Sequence, residues 1–600
     1  MNADAAARFD IGRTLAAQGK LDQAASQFER AIALQPDFID AYNALALNFF
    51  HQEQWDLALG VLRRAIDIDG AAESKALFVQ ILRSLRAIPN VQDLRDQMVQ
   101  ALSEPWTRPS AAAPIATALI KHDETMKVYV DRANDAWPGR LSALDLLGPT
   151  GLAAISGHRL LAALLPSTAV TDVALERFLT ALRFAMLELA TAAIPPGDDK
   201  FVRLSCLLAR QCFLNEYILA RVDDEFDRAR CLSDRLAAAS LSRAAIPESW
   251  IASVASYVPL RSLPEAATLL DRAWSVSITG VLIQQVQEPE HEHQLRASIP
   301  ALTVIDDRVS LAVKEQYEQN PYPRWVKPAP PVRPLTINQF LQSEFPLAHF
   351  CAREEKSDNI DILVAGCGTG QEAIETAQRF SQARVLAIDL SVASLAYGAR
   401  KTRELGIERV VYAQADILKL GSLDQSFEMI VASGVLHHLA DPLVGWRVLL
   451  GLLQPLGVMR IGLYSELARA HVKAARAFVA ERGYRPTTDD IRHCRQDLLS
   501  APDGSLRKKV TRAEDFFTTS ECRDLLFHVQ EHCHTLSEIG AFLADHDLNF
   551  LGFDLRAATR KQYRARFPAD EGMIDLSLWD TFERENPDTF IGMYQFWVQK

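Results

Sequence analysis

Three glycines, Gly366, Gly368 and Gly370, close the run DILVAGCGTGQ, where an apolar stretch gives way at once to a turn and then a helical pattern. Glycine lets a backbone turn sharply and lets a ligand come close without a Cβ in the way. A helix starting near Gln371 would aim its unpaired N–H groups at that ligand, which suits a carboxylate or a phosphate. Asp389 ends the next apolar stretch, 23 residues after Gly366. An acid at that distance can accept hydrogen bonds from both hydroxyls of a ribose. Singly, each feature has a plainer use: a tight turn for the glycines, a helix cap before Ser391 for Asp389. Two further elements come in order, however. Asp416 and Ile417 follow a third apolar stretch, and Ser433-Gly434-Val435-Leu436-His437-His438 follows a fourth.

The glycine spacing is GxGxG, and Gln371 lies where a GxGxxG loop runs on toward its third glycine, which favours S-adenosylmethionine (SAM) over a dinucleotide. In order and spacing, residues 360–464 resemble the class I SAM-dependent methyltransferases. The resemblance implies that Gly366, Cys367, Gly368, Thr369 and Gly370 wrap the methionine part of SAM, and that Asp389, with Leu390 beside it, holds the ribose. It further implies that Asp416 and Ile417 bracket the adenine and that Ser433 and Gly434, on to Leu436, floor the sulfonium. His437 and His438 fall at the mouth of the crevice where acceptors bind in such sheets. One of them could deprotonate an acceptor, since histidine titrates near neutrality. Packing or capping near Asp441-Pro442 is the competing role. The fourth stretch lacks the Asn/Asp-Pro-Pro-Tyr pattern of methyltransferases acting on planar amino groups, which argues against nucleic-acid and amide acceptors.

Two more segments carry candidates. In KEQYEQNPYPRW, Lys314 to Trp325, the rings of Tyr317, Tyr322 and Trp325 and the charge of Arg324 could cap the site and exclude water. A proline-rich strap lying on the sheet is the alternative. The segment is similar to one in bacterial tetratricopeptide-repeat (TPR) methyltransferases, whose C-terminal half also shows the run ECRDLLFHVQEH. Within that run, His528, Glu531 and His532 have the HxxEH order of a zinc site, two imidazoles one helical turn apart. No third ligand with a defined context follows, so no metal is expected. These residues are assigned to the acceptor pocket or to hydrogen bonds within the segment, and Arg523 and Asp524 to a solvated or paired face.

The elements that must position these groups alternate. Strands are expected at Asp361–Ala365, Arg384–Asp389, Val410–Gln414, Phe427–Ser433 and Gly457–Tyr464, then, after a helical insertion over 466–547, at Asn549–Leu555 and Phe590–Val598. The expected fold is an α/β Rossmann-like domain with a seven-stranded, mostly parallel, doubly wound sheet and an antiparallel edge, over 336–600. Ahead of it, residues 1–104 read as helical repeats. Ile11, Gly12, Leu15, Ala24, Phe28, Ala31 and Pro36 recur 34 positions later as Leu45, Ala46, Phe49, Ala58, Leu62, Ala65 and Gly70, a period that resembles the TPR. A third repeat, Glu73 to Leu102, matches loosely. Residues 105–300 keep an amphipathic helical pattern broken at Pro195-Pro196-Gly197 and read as a spacer or oligomerisation layer. Residues 301–335, dense in proline, form a stiff junction and possible cap.

Composition narrows the function. Among 600 residues, 64 basic against 76 acidic side chains give a net charge of −12, unsuited to a phosphate backbone. No apolar stretch is long enough to cross a bilayer. The eight cysteines are scattered without a CxxC pair, which fits a reducing cytoplasm. Three functions stay open: methylation of a protein side chain recruited through the TPR arm, methylation of a small molecule or glycan with the arm used for assembly, and an inactive scaffold.

Overall fold

The computed structural model describes residues 2–85, 92–192, 198–242, 244–331, 333–354 and 359–600. The Pro195-Pro196-Gly197 breaker lies outside the described residues. The chain opens with helical hairpins: Ala3–Ala17 with Leu21–Leu34, Ile39–His51 with Trp55–Asp69, and Ala72–Ser84 followed by Gln92–Ser103. The small residues of the 34-residue period sit where these helices meet. Ala24, Ala31, Ala46, Ala58 and Ala65 have no exposed surface, and Phe28 and Leu62 fill the space between. A larger side chain at those alanines would force the helices apart. More helices follow to Leu295, and their apolar faces merge with the later repeats into one core running from Ala46 to Val286.

The C-terminal half is built on one sheet. Its strands are β1 (Ile360–Ala365), β2 (Ala383–Asp389), β3 (Val410–Gln414), β4 (Phe427–Ser433), β5 (Leu453–Ser465), β6 (Cys533–His534), β7 (Asn549–Phe553) and β8 (Tyr594–Gln599). The order is β3-β2-β1-β4-β5-β8-β7, with β6 paired to the end of β5. Two expectations are corrected. The sheet has eight strands, because two residues of the insertion add to β5 in parallel. The antiparallel strand is not the edge: β8 runs antiparallel between β5 and β7, and β7 closes the sheet. Between β7 and β8 the chain runs through two helices, Ala557–Arg566 and Leu576–Glu585, before β8 inserts beside β5. The order reverses between β1 and β4, and the crevice beyond their C-terminal ends is where ligands bind in open α/β sheets.

The linker is not free. Residues around Ala301 pair with the end of β3, with Leu302 N donating to Gln414 O at 2.8 Å. The insertion packs on the helical half: Ile218 sits in one core with Val472, Ile491, Val510 and Phe516. Buried Arg495 pairs with Glu176 at 2.7 Å, and Arg492 donates to Tyr217 O at 2.9 Å.

Candidate active site

The turn after β1 closes tightly. Gly366, Gly368 and Gly370 all have positive φ. At Gly368 (φ +51°) a Cβ would lie 2.5 Å from Tyr322 O, and at Gly366 (φ +69°) it would collide with Val435. Those two positions admit nothing larger, on conformation and on space. Gly368 N donates to Asp389 Oδ2 at 2.9 Å, and Ser391 N donates to Asp389 Oδ1 at 2.9 Å. The glycine turn and the acid at the tip of β2 therefore meet, and both border a cavity of about 280 Å³ over the β1/β4 crevice. Burial pushes the Asp389 carboxyl up, against the pull of its backbone donors.

Most of the expected cofactor residues line this cavity: Gly366, Cys367, Gly368, Asp389, Leu390, Asp416, Ile417, Ser433 and Gly434. Thr369 and Gly370 are in the turn but not on the cavity wall. Gly370 instead caps the helix Gln371–Arg379, and Thr369 is fully buried. Asp416 also has no exposed surface. Its Oδ1 caps Leu418 N at 2.9 Å, while its buried Oδ2 has no hydrogen-bond partner. A buried carboxylate oxygen left bare is costly. An amino group such as that of adenine would satisfy it, and the glycine cradle leaves room for a ligand against the backbone. On both grounds the residues fit SAM.

The segment Tyr317 to Trp325 is a fixed strap. Thr369 N donates to Tyr322 O at 3.2 Å, Trp325 Nε1 donates to Thr369 Oγ1 at 3.1 Å, and the Tyr397 hydroxyl donates to Trp325 O. Its four candidates separate. Tyr317 and Tyr322 line the cavity. Trp325 is buried with Ile374 and Tyr397 beneath the strap. Arg324 turns away to Glu216 and the Phe213 ring.

The HxxEH segment is not helical. The helix Thr519–Phe527 ends before His528, and residues 528–532 run irregularly into β6, so the expected one-turn spacing of two imidazoles is absent. Asp524, assigned to a solvated or paired face, is buried and lines the cavity. Glu531 instead holds Arg469 and Arg476, both through Oε2 at 2.8 and 2.9 Å. His532 donates its backbone N–H to His437 O at 2.8 Å, and its ring meets the Gln530 side chain.

The paired histidines also separate. His437 is fully buried, 3.9 Å in ring centroids from Tyr464, with neither ring nitrogen hydrogen-bonded. Burial holds its pKa well below the ordinary range, so it is a neutral packing group off the cavity wall. His438 lines the cavity. Its Nδ1 is 2.9 Å from Gln530 O, and a carbonyl only accepts, so Nδ1 carries the proton and Nε2 keeps the lone pair. Gln530 N donates to His528 Nδ1 at 3.1 Å, which places the His528 proton on Nε2. One residue's peptide groups thus set opposite tautomers on two rings.

Ligand atoms of His438, Asp524 and His528 lie within 4.8 Å of one another. The two rings stack at 3.7 Å and 25°, so their in-plane nitrogen directions run side by side instead of toward one point. With the His528 Nε2 proton, that geometry is poor for a metal. Burial lowers both pKa values, that of His528 to about 3.

Other residues at the site have no local signature in the sequence. Arg108, from the helical half, lines the cavity and pairs with Glu375 and Glu372 on the helix after the glycine turn. Burial pushes Glu372 up, but Arg460 and Arg108 outweigh it and hold that carboxylate down. Glu318 accepts from Ala393 N at 3.2 Å and from Val392 N, at the start of the helix after β2. Tyr464 and Met593 complete the wall.

Comparison with known proteins agrees with this geometry. A family model described as a methyltransferase domain matches residues 356–533, and one described as a TPR repeat matches residues 12–52. An uncharacterized protein of Synechococcus sp. is 28% identical over 305 residues, covering 48% of this chain and 70% of that protein. Trans-aconitate 2-methyltransferase of Deinococcus radiodurans is 38% identical over 81 residues, 13% of this chain and 28% of that enzyme. Among solved structures, PKMT2 from Rickettsia typhi in complex with AdoHcy is similar at 16% identity and a TM-score of 0.34, over 43% of this chain. The matched part spans about half of that protein, 52%. Residues 356–533 thus match a methyltransferase domain, and residues 12–52 a TPR repeat.

Proposed function

We propose that the protein transfers a methyl group from SAM to a protein side chain recruited by its helical arm. The observation that carries this reading is the convergence of Gly368 N, Asp389 and the partnerless Asp416 Oδ2 on one cavity. In it the glycine turn would hold the methionine part, Asp389 and Leu390 the ribose, Asp416 and Ile417 the adenine, and Ser433 and Gly434 the floor. SAM supplies an electrophilic methyl on a sulfonium. The chain's own residues orient the acceptor and exclude water, and such positioning can contribute up to roughly 7–11 kcal/mol. His438 lines the cavity, and its Nε2, whose lone pair the Nδ1 contact leaves free, is the group to take a proton from an acceptor that begins protonated. Tyr317 and Tyr322 wall the acceptor half, and the strap under them keeps that wall in place.

The arm supports a protein acceptor because grooves of stacked helical repeats bind extended peptides. Arg108 also joins the helical half to the cavity directly. A small-molecule acceptor is the second reading, favoured by the strap, which narrows the approach to the cavity.

Calorimetry with SAM tests the first step. Binding is expected in the wild type, with about a 10- to 100-fold loss in Asp389→Ala from removing a charged hydrogen-bond acceptor. Absence of binding heat would leave only the scaffold. Radiolabelled SAM added with cell lysate tests the second step: label on a protease-sensitive band supports the protein acceptor, and label that stays small supports the other.

A further inference from the structure

We infer that the acceptor is an aliphatic amine, taken up as its ammonium ion between the Asp524 carboxylate and the tyrosine walls of the cavity. The inference rests on the methyl-transfer reading above and names the substrate class of that same site.

The acceptor half is lined by Tyr317, Tyr322, Tyr464, His438 and Asp524. Arg108 is the one Lys or Arg side chain bordering the cavity among the described residues, and it is engaged by Glu375 and Glu372 beside the cofactor half. Asp524 is buried, and its Oδ1 accepts from the Tyr317 hydroxyl. The nearby cations are committed elsewhere. Arg476 donates to the Asp524 main-chain oxygen at 3.1 Å and to Glu531, and Arg469 is held by Glu531 with its guanidinium 3.6 Å over the Tyr464 ring. The two imidazoles facing Asp524, those of His438 and His528, are kept neutral by burial.

What remains is a buried carboxylate with a tyrosine hydrogen bond but no full counter-charge, an arrangement that favours a cationic guest. Tyr317 and Tyr322 lie 6.0 Å apart at 29°, and such ring faces attract an ammonium. A carboxylate acceptor would be repelled by this wall, and a hydroxyl would leave its charge unanswered.

The balance of the step follows. The ammonium gives one proton to His438 Nε2, where the negative Asp524 steadies the resulting imidazolium. The freed nitrogen lone pair forms the bond to the methyl carbon as the carbon–sulfur bond breaks, and the electron pair of that bond stays on sulfur.

The test uses the full chain and two SAM analogues. AdoHcy lacks the methyl; sinefungin has, in place of the methylated sulfonium, a carbon bearing an amino group. Calorimetry is expected to show sinefungin binding at least about tenfold tighter than AdoHcy. In Asp524→Asn that preference should disappear while AdoHcy affinity stays within about twofold. Equal affinities in the wild type, or a preference that survives Asp524→Asn, overturn the inference and leave the methyl-transfer reading standing. Failure of AdoHcy to bind the wild type overturns both. A second measurement needs no variant. Protein labelled from lysate is acid-hydrolysed, and the label is expected among N-methylated amines. Label released as methanol, or recovered on oxygen or sulfur, overturns the inference.

Discussion

At the scale of single residues, the cavity combines groups that the sequence announces with groups it hides. Gly368 is of the first kind. Gly368→Ala places a Cβ 2.5 Å from Tyr322 O at a φ of +51°. We expect a loss of about 1–3 kcal/mol in stability by thermal denaturation, together with weaker SAM binding by calorimetry. His438→Ala is expected to lower kcat by about 10²- to 10⁴-fold while leaving the SAM Kd unchanged. Because burial, outweighing Asp524 and Gln530, depresses the His438 pKa, wild-type activity should rise as pH climbs through a value below the usual histidine range, then level off near neutrality. Stability should follow the same direction. His528 titrates near 3 folded and near 6.5 unfolded. The unfolded chain therefore binds more protons between those values, and the stabilisation present above pH 6.5 is lost progressively as pH falls toward 3. Thermal scans at pH 7, 6 and 5 on the wild type and His528→Gln check this: the variant should show the shallower decline. That Gly366, Gly368, Asp389 and Asp416 border one cavity was legible because each sits at a strand end with its few neighbours close in sequence. Asp524 and Arg108 were not: Asp524 reads with Arg523 as a solvated or paired face, Arg108 has no motif around it, and both reach the cavity only when distant chain segments meet.

At the scale of elements, the strap and the strands differ in how they were specified. Strands β1 to β4 appear where the apolar runs placed them, within a residue at each end, because strands of a mostly covered parallel sheet are apolar along most of their length. β8 starts later than expected, at Tyr594. Phe590 belongs to the same aromatic cluster as Tyr594 and Trp579, so its hydrophobicity answers to packing and not to pairing. The two-residue β6 carries no periodicity at all and exists because the chain passes the end of β5. The strap is legible as proline-rich and stiff, but its direction is not. Only tertiary contact decides that Trp325 turns inward to Thr369 while Tyr322 faces the cavity. Trp325→Ala should cost about 3–5 kcal/mol by chemical denaturation, a cavity left by a large buried side chain. It should also loosen the glycine turn enough to weaken SAM binding.

At the scale of the whole molecule, the helical half and the methyltransferase domain share buried charge. Arg495 has no exposed side-chain surface and pairs with Glu176 across the two halves. Glu176→Gln leaves that guanidinium without its counter-charge, and we expect about 3–5 kcal/mol of destabilisation, seen as a lower Tm. The expected role of the middle helices as a spacer missed this joint, since neither Glu176 nor Arg495 stands out in its own helix. The TPR period was readable because a repeat writes its packing rule twice; the interface between unlike halves is written once, in residues far apart.

That separation has a consequence for how the protein is made. Glu176 and Arg495 lie 319 residues apart, and the buried residues that share a core with Ile218 likewise come from Val472 onward. At ribosomal speeds of about 5–20 residues per second, the partner of Glu176 emerges roughly 15 to 65 seconds after it. For that interval the nascent helical half lacks the residues that cover Ile218 and the guanidinium that pairs with Glu176.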